Sequence, residues 1–457
     1  MSAHKIVCLG GGSLYFRRAL PDLLMCDDLS GSEIVLYDLD TEKAEKMATM
    51  GRRLAERTST QFTVRAASSL SDAVDGGDFA ISSIGGSGAE ITENVYNSHV
   101  HNADIRIPAK YGICQVIGDT CGPAGMMMAL RSIPAYITIC REMEKRCPKA
   151  ILFNHSNPMA VLCRAMHKDT DINVIGICHG VQEGLSYAAQ ILEVPVHELN
   201  CTWVGTNHYF WFTRVFHKHV DLYPELMRRV KERQAPKGRQ LSAKLSQIHG
   251  HHIVYPSDDH IIEFYPFLTQ MPEGMAQLPY GMTESLKRHG YDPENPVPPT
   301  QNADPLIRAA FFKNYQTLLD RVELPQKQDN SITGEGLSSL ISAIAHGRRQ
   351  VHIVNVANRG AIANLPDTAE VELEGVTDGC GVRPIHVGDA PMVLKGMLEK
   401  RFVWHELVAD AAVKGDRNLA LQALLIDEMA ILPEKAEAML DELLVASRAL
   451  LPAFFGQ

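Results

Sequence analysis

The stretch KIVCLGGGS at residues 5–13 decides the fold, because a short apolar run ends there in three consecutive glycines. The run has the length and composition of a buried strand, and a helical pattern follows it over residues 15–26. Glycine lets the backbone turn sharply and approach a pyrophosphate, whose negative charge the N-terminus of a helix favours. The stretch therefore predicts a dinucleotide-binding loop in which Gly10, Gly12 and Ser13 contact the cofactor.

Two further apolar runs end in residues suited to the same cofactor. Glu33–Tyr37 leads into Asp38, about 26 residues after Gly12. A carboxylate at that place accepts hydrogen bonds from a ribose diol and repels a 2′-phosphate, which favours NAD over NADP. Phe79–Ser83 leads into a second glycine-rich turn. We therefore expect Ser83 and Gly85 to line the other side of the cofactor.

The wider pattern predicts an α/β fold. Residues 1 to about 180 alternate apolar runs with helical segments, which indicates βαβ units and a doubly wound parallel sheet of the Rossmann type. The rest of the chain combines charged helical stretches, a few strands and a helical tail. We expect a Rossmann-like domain over residues 1–200 and a second, α+β domain over residues 201–457. The predicted strands are Lys5–Leu9, Glu33–Tyr37, Phe62–Arg65, Phe79–Ser83, Ala150–Asn154, Val174–Ile177, Val351–Asn355 and Val371–Glu374.

Composition excludes several classes of partner. The chain has 457 residues, a formal net charge of −10 and a pI near 6.0. Nucleic acid is therefore not an expected partner, because phosphate binding needs a basic face. No run approaches the roughly 18 apolar residues of a membrane span. The ten cysteines form no CxxC pair, which favours reduced thiols and a cytoplasmic location.

Four short polar motifs predict the chemical site: residues 118–123, 157–159, 178–180 and 205–208. Two of them directly follow predicted strands, and in open α/β sheets ligands lie beyond the carboxyl ends of the strands. The thiolate of Cys178 and an imidazole are suitable ligands for a borderline divalent metal. Taken singly, Cys178 also fits a buried small residue, His208 a histidine beside a strand, and Asn157 a turn before proline.

Together these motifs resemble glycoside hydrolase family 4, the NAD-dependent glycosidases. The resemblance extends over nearly the whole chain. The motifs that carry it are the glycine-rich loop, Tyr37-Asp38-Leu39-Asp40, Tyr111-Gly112-Ile113, Gly118-Asp119-Thr120-Cys121-Gly122-Pro123 with Arg131, Asn157-Pro158-Met159, Cys178-His179-Gly180, Asn207-His208, Tyr223-Pro224-Glu225-Leu226, Asn355 with Asn358-Arg359-Gly360, and Asn364-Leu365-Pro366.

The resemblance implies a redox route to hydrolysis. Mn²⁺ would be bound by Cys178 and His208, and Asn157, Asp119 and Arg131 would contact the substrate. NAD would remove hydride from the sugar C3, so that the proton on C2 becomes acidic. A base would remove that proton, the leaving group on C1 would be eliminated, water would add, and the hydride would return.

The acid and the base are less sharply assigned. Relatives use a tyrosine or an aspartate as base, and the matching stretch here is residues 256–265. Asp258 is favoured because a Ser-Asp or Gly-Asp pair stands there in the branch that the chain resembles. The other candidates are Asp259, His260 and Tyr265. The leaving-group acid of some relatives follows the metal cysteine, which here gives His179.

The expected substrate is an unphosphorylated hexoside or hexuronide, with uronides favoured. His179 after Cys178 is typical of the non-phosphate branch, and residues 111–120 resemble those of α-galacturonidases. Arg131 can pair with a sugar carboxylate, although it can equally be tied to a structural carboxylate.

The resemblance also implies a second domain like the C-terminal domain of lactate and malate dehydrogenases, and a homodimer or homotetramer. Two other functions share the predicted cofactor loop. One is a 2-hydroxy-acid dehydrogenase of the lactate or malate type, which would need no metal thiolate. The other is a non-catalytic NAD-binding sensor.

Overall fold

The computed structural model describes residues 3–86, 98–115, 117–232, 235–236, 238–254, 257–271, 305–325 and 336–456. The strands in these ranges are β1 (Lys5–Leu9), β2 (Glu33–Tyr37), β3 (Thr63–Ala66), β4 (Phe79–Ser82), β5 (Ile151–Asn154), β6 (Asn173–Gly176), β7 (Leu199–Thr206), β8 (Tyr209–His217), β9 (Val220–Asp221), β10 (His252–Ile253), β11 (Val351–Ala357), β12 (Glu370–Asp378) and β13 (Gly381–Pro384).

Helices connect these strands and form most of the end of the chain. They are α1 (Phe16–Leu24), α2 (Thr41–Ala55), α3 (Leu70–Val74), α4 (His99–Lys110), α5 (Gly122–Arg146), α6 (Met159–Asp169), α7 (Gly180–Leu192), α8 (Tyr223–Glu232), α9 (Gln240–His249), α10 (Asp258–Ile261), α11 (Pro305–Asp320), α12 (Leu337–Ala345), α13 (Met392–Lys414), α14 (Arg417–Ile426) and α15 (Pro433–Ala446).

The first six strands form a parallel sheet in the order β3-β2-β1-β4-β5-β6. The order reverses between β1 and β4, which creates the crevice where doubly wound folds bind dinucleotides. Each predicted strand of this half lies within about one residue of an observed strand, because apolar runs between helical segments are a strong local signal. The predicted Rossmann-like fold class is therefore confirmed.

Side chains of β1 project alternately from the two faces of the sheet into two separate cores. Ile6 and Cys8 belong to a core with α1, α2, α11 and α12, whereas Val7 and Leu9 belong to a core with α5, α6 and α13. Successive side chains of a strand point to opposite faces, so a sheet covered by helices on both sides needs an unbroken apolar run. This is why residues 6–9 contain no polar side chain.

The second half of the chain extends the first sheet. Strands β11, β12 and β13 continue it beyond β6 in antiparallel pairing, and Asn355 of β11 lies opposite Gly176 of β6. Strands β7, β8, β9 and β10 form a separate antiparallel sheet. The second part is thus α+β as predicted. The boundary at residue 200 stays a prediction, and the larger sheet crosses it.

No helix among the described residues is both long enough and apolar enough to cross a membrane.

Candidate active site

The glycine-rich loop after β1 has a shape that only glycine permits. Gly10 has φ of 72°, and a Cβ atom on it would lie 2.3 Å from the carbonyl oxygen of Ser83. A side chain at this position would meet backbone that cannot yield, so the loop requires glycine here. The backbone N–H of Gly11 donates to the carbonyl of Tyr37 at 2.8 Å, which fixes the loop against the end of β2.

Other residues predicted to bind the cofactor lie around this loop. The Ser13 and Ser83 hydroxyls are 2.9 Å apart, and the N–H of Gly12 donates to Asp38 Oδ2 at 2.9 Å. Burial raises the pKa of the Asp38 carboxyl. Gly85 follows β4 in the next turn. A loop that a side chain would fill, at the start of a helix and beside a half-buried carboxylate, fits a dinucleotide.

Cys178 and His208 come together at the ends of different strands. Cys178 follows β6, His208 stands in the turn between β7 and β8 with φ of 63°, and both side chains are buried. The Cys178 Sγ atom lies 3.5 Å from His208 Nε2. Burial lowers the pKa of His208 to about 3, so the imidazole is neutral and has a lone pair for a cation.

Asp119 is the polar centre next to this pair. Its Oδ2 accepts a hydrogen bond from Asn157 Nδ2 at 2.7 Å, and its Oδ1 accepts one from Thr120 Oγ1 at 2.6 Å. Thr120 Oγ1 also lies 2.8 Å from His208 Nδ1. Residues from the motifs at 118–123, 157–159 and 205–208 thus form one hydrogen-bonded cluster.

The other side of the cluster contains two residues with a weak sequence signal. Asp119, His208 and His260 present ligand atoms that all lie within 4.8 Å of one another. Glu263 is fully buried, accepts a hydrogen bond from the N–H of Thr120 at 3.1 Å, and has a pKa raised to about 7 by burial. Sequence reasoning missed Glu263, since its one signal is its place three residues after His260 in the candidate-base stretch.

The donor set fits a borderline divalent metal. A cysteine sulfur and an imidazole nitrogen are ligand types that such ions accept, and Cys178 and His208 bring one of each together. The cluster lies where β5 and β6 end, at the same edge of the parallel sheet as the glycine-rich loop, namely the edge formed by the carboxyl ends of the strands.

Asp258 has a structural partner in α9. Its Oδ1 accepts from the N–H and the hydroxyl of Ser242, both at 2.9 Å, and its Oδ2 accepts from the N–H of Leu241 at 3.0 Å. The carboxylate therefore caps the N-terminus of α9, where free N–H groups attract negative charge. The sequence favoured Asp258 as base and gave no sign of this cap.

The remaining predicted catalytic residues differ in their surroundings. His179 is half-exposed at the start of α7, with Nε2 3.3 Å from Glu183. Tyr265 is buried in an aromatic cluster with Tyr209 and His249. The side chain of Asp259 lies outside the described residues.

Arg131 is not available to a substrate, which corrects the sequence-based expectation. Its Nη1 and Nη2 donate to the two oxygens of Asp104 at 3.0 and 2.5 Å, and its Nε donates to the carbonyl of Gly86 at 2.7 Å. Both side chains of this ion pair are completely buried between α4 and α5. A guanidinium held by a carboxylate at both ends of its fork cannot also bind a sugar carboxylate in that way.

Two models of one protein family match this chain. The model of family 4 glycosyl hydrolases matches residues 5–194, and the model of their C-terminal domain matches residues 203–430. The chain belongs to glycosyl hydrolase family 4. Its relatives within the family match it along almost their whole length.

The relatives differ in the sugars after which they are named. An α-galactosidase from Bacillus subtilis (strain 168) is 27% identical over 93% of this chain and 92% of its own length. An α-galacturonidase from Lachnoclostridium phytofermentans is 28% identical over 99% of this chain and 97% of its own. The crystal structure of a 6-phospho-α-glucosidase from gut microorganisms in complex with NAD and Mn²⁺ has a TM-score of 0.75 at 22% identity, covers 98% of this chain and 99% of that one, and shows the shared fold.

These matches confirm the predicted family and its glycosidase activity. They do not favour a 2-hydroxy-acid dehydrogenase or a non-catalytic sensor. NAD and Mn²⁺, the two cofactors predicted from the sequence, are the ones bound in the 6-phospho-α-glucosidase.

The buried ion pair generates a prediction that distinguishes a structural role of Arg131 from a role in binding substrate. We expect Arg131→Met to lower the free energy of unfolding by about 3–5 kcal/mol, because it leaves the charge of Asp104 buried and unpaired. The double variant Arg131→Met with Asp104→Leu should recover part of that loss. Denaturant unfolding measures both. A fully stable Arg131→Met enzyme with a raised KM for uronides alone would contradict the structural role.

Proposed function

We propose that this enzyme hydrolyses unphosphorylated hexosides or hexuronides with NAD and a divalent metal, Mn²⁺ for preference, at the cluster around Cys178 and His208. The observation that carries the proposal is the buried Cys178–His208 pair, 3.5 Å apart, beside the Asn157–Asp119 hydrogen bond. Sulfur, imidazole, carboxylate and amide groups meet there near the glycine-rich loop. That combination suits a sugar held between a metal and a nicotinamide.

Each residue of the cluster has a separate proposed task. Bound NAD supplies a hydride acceptor, and the bound metal stabilises negative charge on sugar oxygens. Cys178 and His208 would hold the metal from the protein side. Asn157 contacts the substrate, and Asp119 orients Asn157 through their 2.7 Å hydrogen bond. Burial of the cluster excludes water and strengthens these electrostatic contacts.

We assign the acid to His179 and the base to the segment that carries His260. His179 is half-exposed and directly follows Cys178, so it lies where a leaving group would depart toward solvent. The ring of His260 lies 4.9 Å from that of His208, next to Asp119. Asp258, the candidate favoured by the resemblance, would first have to release its three hydrogen bonds to α9.

The substrate class rests on the sequence motif and on the names of relatives. The Cys178-His179 pair and the match to an α-galactosidase and an α-galacturonidase support an unphosphorylated sugar. Arg131 does not contribute to a preference for uronides, since it is paired with Asp104. We retain uronides as the first substrates to test, on the strength of residues 111–120 and the α-galacturonidase match.

We also propose that the enzyme works in the cytoplasm as a homodimer or homotetramer. All ten cysteines are free thiols, which suits a reducing compartment. Several large apolar side chains on the C-terminal helices are exposed, as at an interface between subunits. They are Met392, Val403, Val413, Leu425 and Val445.

The metal ligands generate the first functional prediction. We expect Cys178→Ser and His208→Ala each to lower turnover by more than about 100-fold, because each removes a direct metal ligand. Mutation of a residue that only hydrogen-bonds to a metal ligand already lowers metal affinity or activity by about 10–100-fold. NAD affinity should stay near that of the unmutated enzyme. Cys380→Ser, at an exposed thiol, serves as the matched control. Undiminished activity of either ligand variant, after chelation and return of Mn²⁺, would exclude the assignment.

The base generates a second prediction, read from hydrogen exchange at C2. A substrate deuterated at C2 should lose its label to solvent during turnover, because the proposed route removes that proton. His260→Gln should stop both exchange and hydrolysis. Asp258→Asn should lower stability by about 1–3 kcal/mol through loss of the α9 cap, with exchange still detectable. Exchange that survives in His260→Gln and vanishes in a folded Asp258→Asn enzyme would identify Asp258 as the base instead.

The substrate class generates a third prediction. Aryl α-galacturonides should have a higher kcat/KM than matched galactosides, glucosides and glucuronides, when assayed with NAD, Mn²⁺ and a thiol reductant. Each 6-phosphate ester should be slower than its parent sugar. A neutral hexoside preferred over its uronide by tenfold, about 1.4 kcal/mol at the transition state, would reverse the order. A preference for a 6-phosphate would refute the unphosphorylated class.

A further inference from the structure

The hydroxyl of Thr120 lies between a carboxylate and the proposed metal ligand. Thr120 Oγ1 is 2.6 Å from Asp119 Oδ1 and 2.8 Å from His208 Nδ1. His208 Nε2, on the other side of the ring, faces Cys178 Sγ at 3.5 Å. One short chain of atoms therefore runs from Asp119 through Thr120 and His208 to the place where the metal would be held.

A hydroxyl has a single proton, and this fixes the direction of both hydrogen bonds. With Asp119 ionised, both of its oxygens are acceptors only: Oδ2 accepts from the amide of Asn157, and Oδ1 accepts from Thr120. The proton of Thr120 therefore points at Asp119. The hydroxyl oxygen must then accept from His208, so the ring proton of His208 sits on Nδ1.

The position of that proton decides whether His208 is a ligand. A neutral imidazole has one N–H and one lone pair, and only the nitrogen with the lone pair binds a metal. With the proton on Nδ1, the lone pair is on Nε2, on the side of Cys178. The opposite tautomer would turn an N–H toward the metal position and exclude the ion.

The backbone holds Thr120 in this orientation. Its N–H donates to Glu263 Oε2 at 3.1 Å, and the N–H of Gly122 donates to Asp427 Oδ2 at 2.7 Å. Thr120 is buried, and it lies two residues before the long helix α5. A branched side chain on such a fixed backbone has little freedom to rotate its hydroxyl away from His208.

We propose that Thr120 is a positioning residue that holds His208 in its metal-binding tautomer. Its hydroxyl donates to Asp119 and accepts from His208 Nδ1, so the ring proton of His208 stays on Nδ1. The inference rests on the proposed metal site and adds to it a residue that touches neither metal nor sugar. Hydrogen-bond partners of metal ligands set the tautomer and orientation of the ligand, and their loss typically weakens metal binding by about 10–100-fold.

The test uses full-length enzyme freed of metal by chelation and titrated with Mn²⁺ and with Co²⁺. Thr120→Val keeps the shape of the side chain and removes the hydroxyl, whereas Thr120→Ser keeps the hydroxyl. We expect Thr120→Val to bind both ions about 10–100-fold more weakly, with a weakened sulfur-to-cobalt absorption band. Thr120→Ser should stay within about threefold of the unmutated enzyme. NAD affinity should be unchanged in both, which verifies the fold.

Two outcomes of the titrations would overturn the proposal: full metal affinity in Thr120→Val, or an equal loss in both variants, which would make packing rather than the hydroxyl responsible. Cys178→Ser and His208→Ala are titrated in parallel. If these two also bind metal normally, the metal site itself is wrong. If they lose metal and Thr120→Val does not, the site stands and the role of Thr120 falls.

A direct measurement covers the case in which Thr120→Val does not fold. In metal-free enzyme labelled with ¹⁵N-histidine, long-range proton–nitrogen spectra distinguish the two tautomers, and comparison with His208→Ala identifies the signal of His208. We expect a protonated Nδ1 and an unprotonated Nε2. A proton found on Nε2 would overturn the proposal without any variant of Thr120.

Discussion

Parallel pairing of β1, β4, β5 and β6 is the constraint on which the rest of the structure depends. Parallel strands end at one edge of their sheet, so segments far apart in sequence reach the same crevice without any further device. The glycine-rich loop, Ser83, Asn157 and Cys178 each follow one of these strands by three residues or fewer. The backbone hydrogen bonds of the sheet thus bring the cofactor loop, the amide of Asn157 and the thiol of Cys178 to the same edge.

The polar cluster is completed by residues that the parallel strands do not position. Asp119 lies just before α5, and His208 lies in a tight turn between two antiparallel strands. Burying a carboxylate is unfavourable unless donors surround it, and Asn157 and Thr120 provide them. The same requirement that makes the cluster stable also makes it directional, since each donor that satisfies Asp119 fixes the orientation of a group beside the metal position.

Features that depend on a local stretch of sequence could be predicted, whereas the hydrogen-bond partners of side chains that contact distant segments could not. Apolar runs, glycine turns and the residues after strand ends can be interpreted one segment at a time, so the Rossmann sheet could be predicted from them. The pairing of Cys178 with His208 followed only from the family resemblance. The partner of Arg131 lies on another helix, and the carboxylate of Asp258 reaches back to α9. Nothing near either residue distinguishes a buried structural contact from a place in the crevice, because both use the same polar groups.

The antiparallel strands that continue the sheet beyond β6 have a consequence for how the chain is made. During synthesis the first half emerges with β6 at an open edge, where unpaired N–H and C=O groups can join strands of other molecules. Its partner β11 is delivered only after most of the second half has left the ribosome. Until β11 has been synthesised, β6 therefore remains an edge strand of the nascent Rossmann-like sheet. A chaperone would be needed most during this interval.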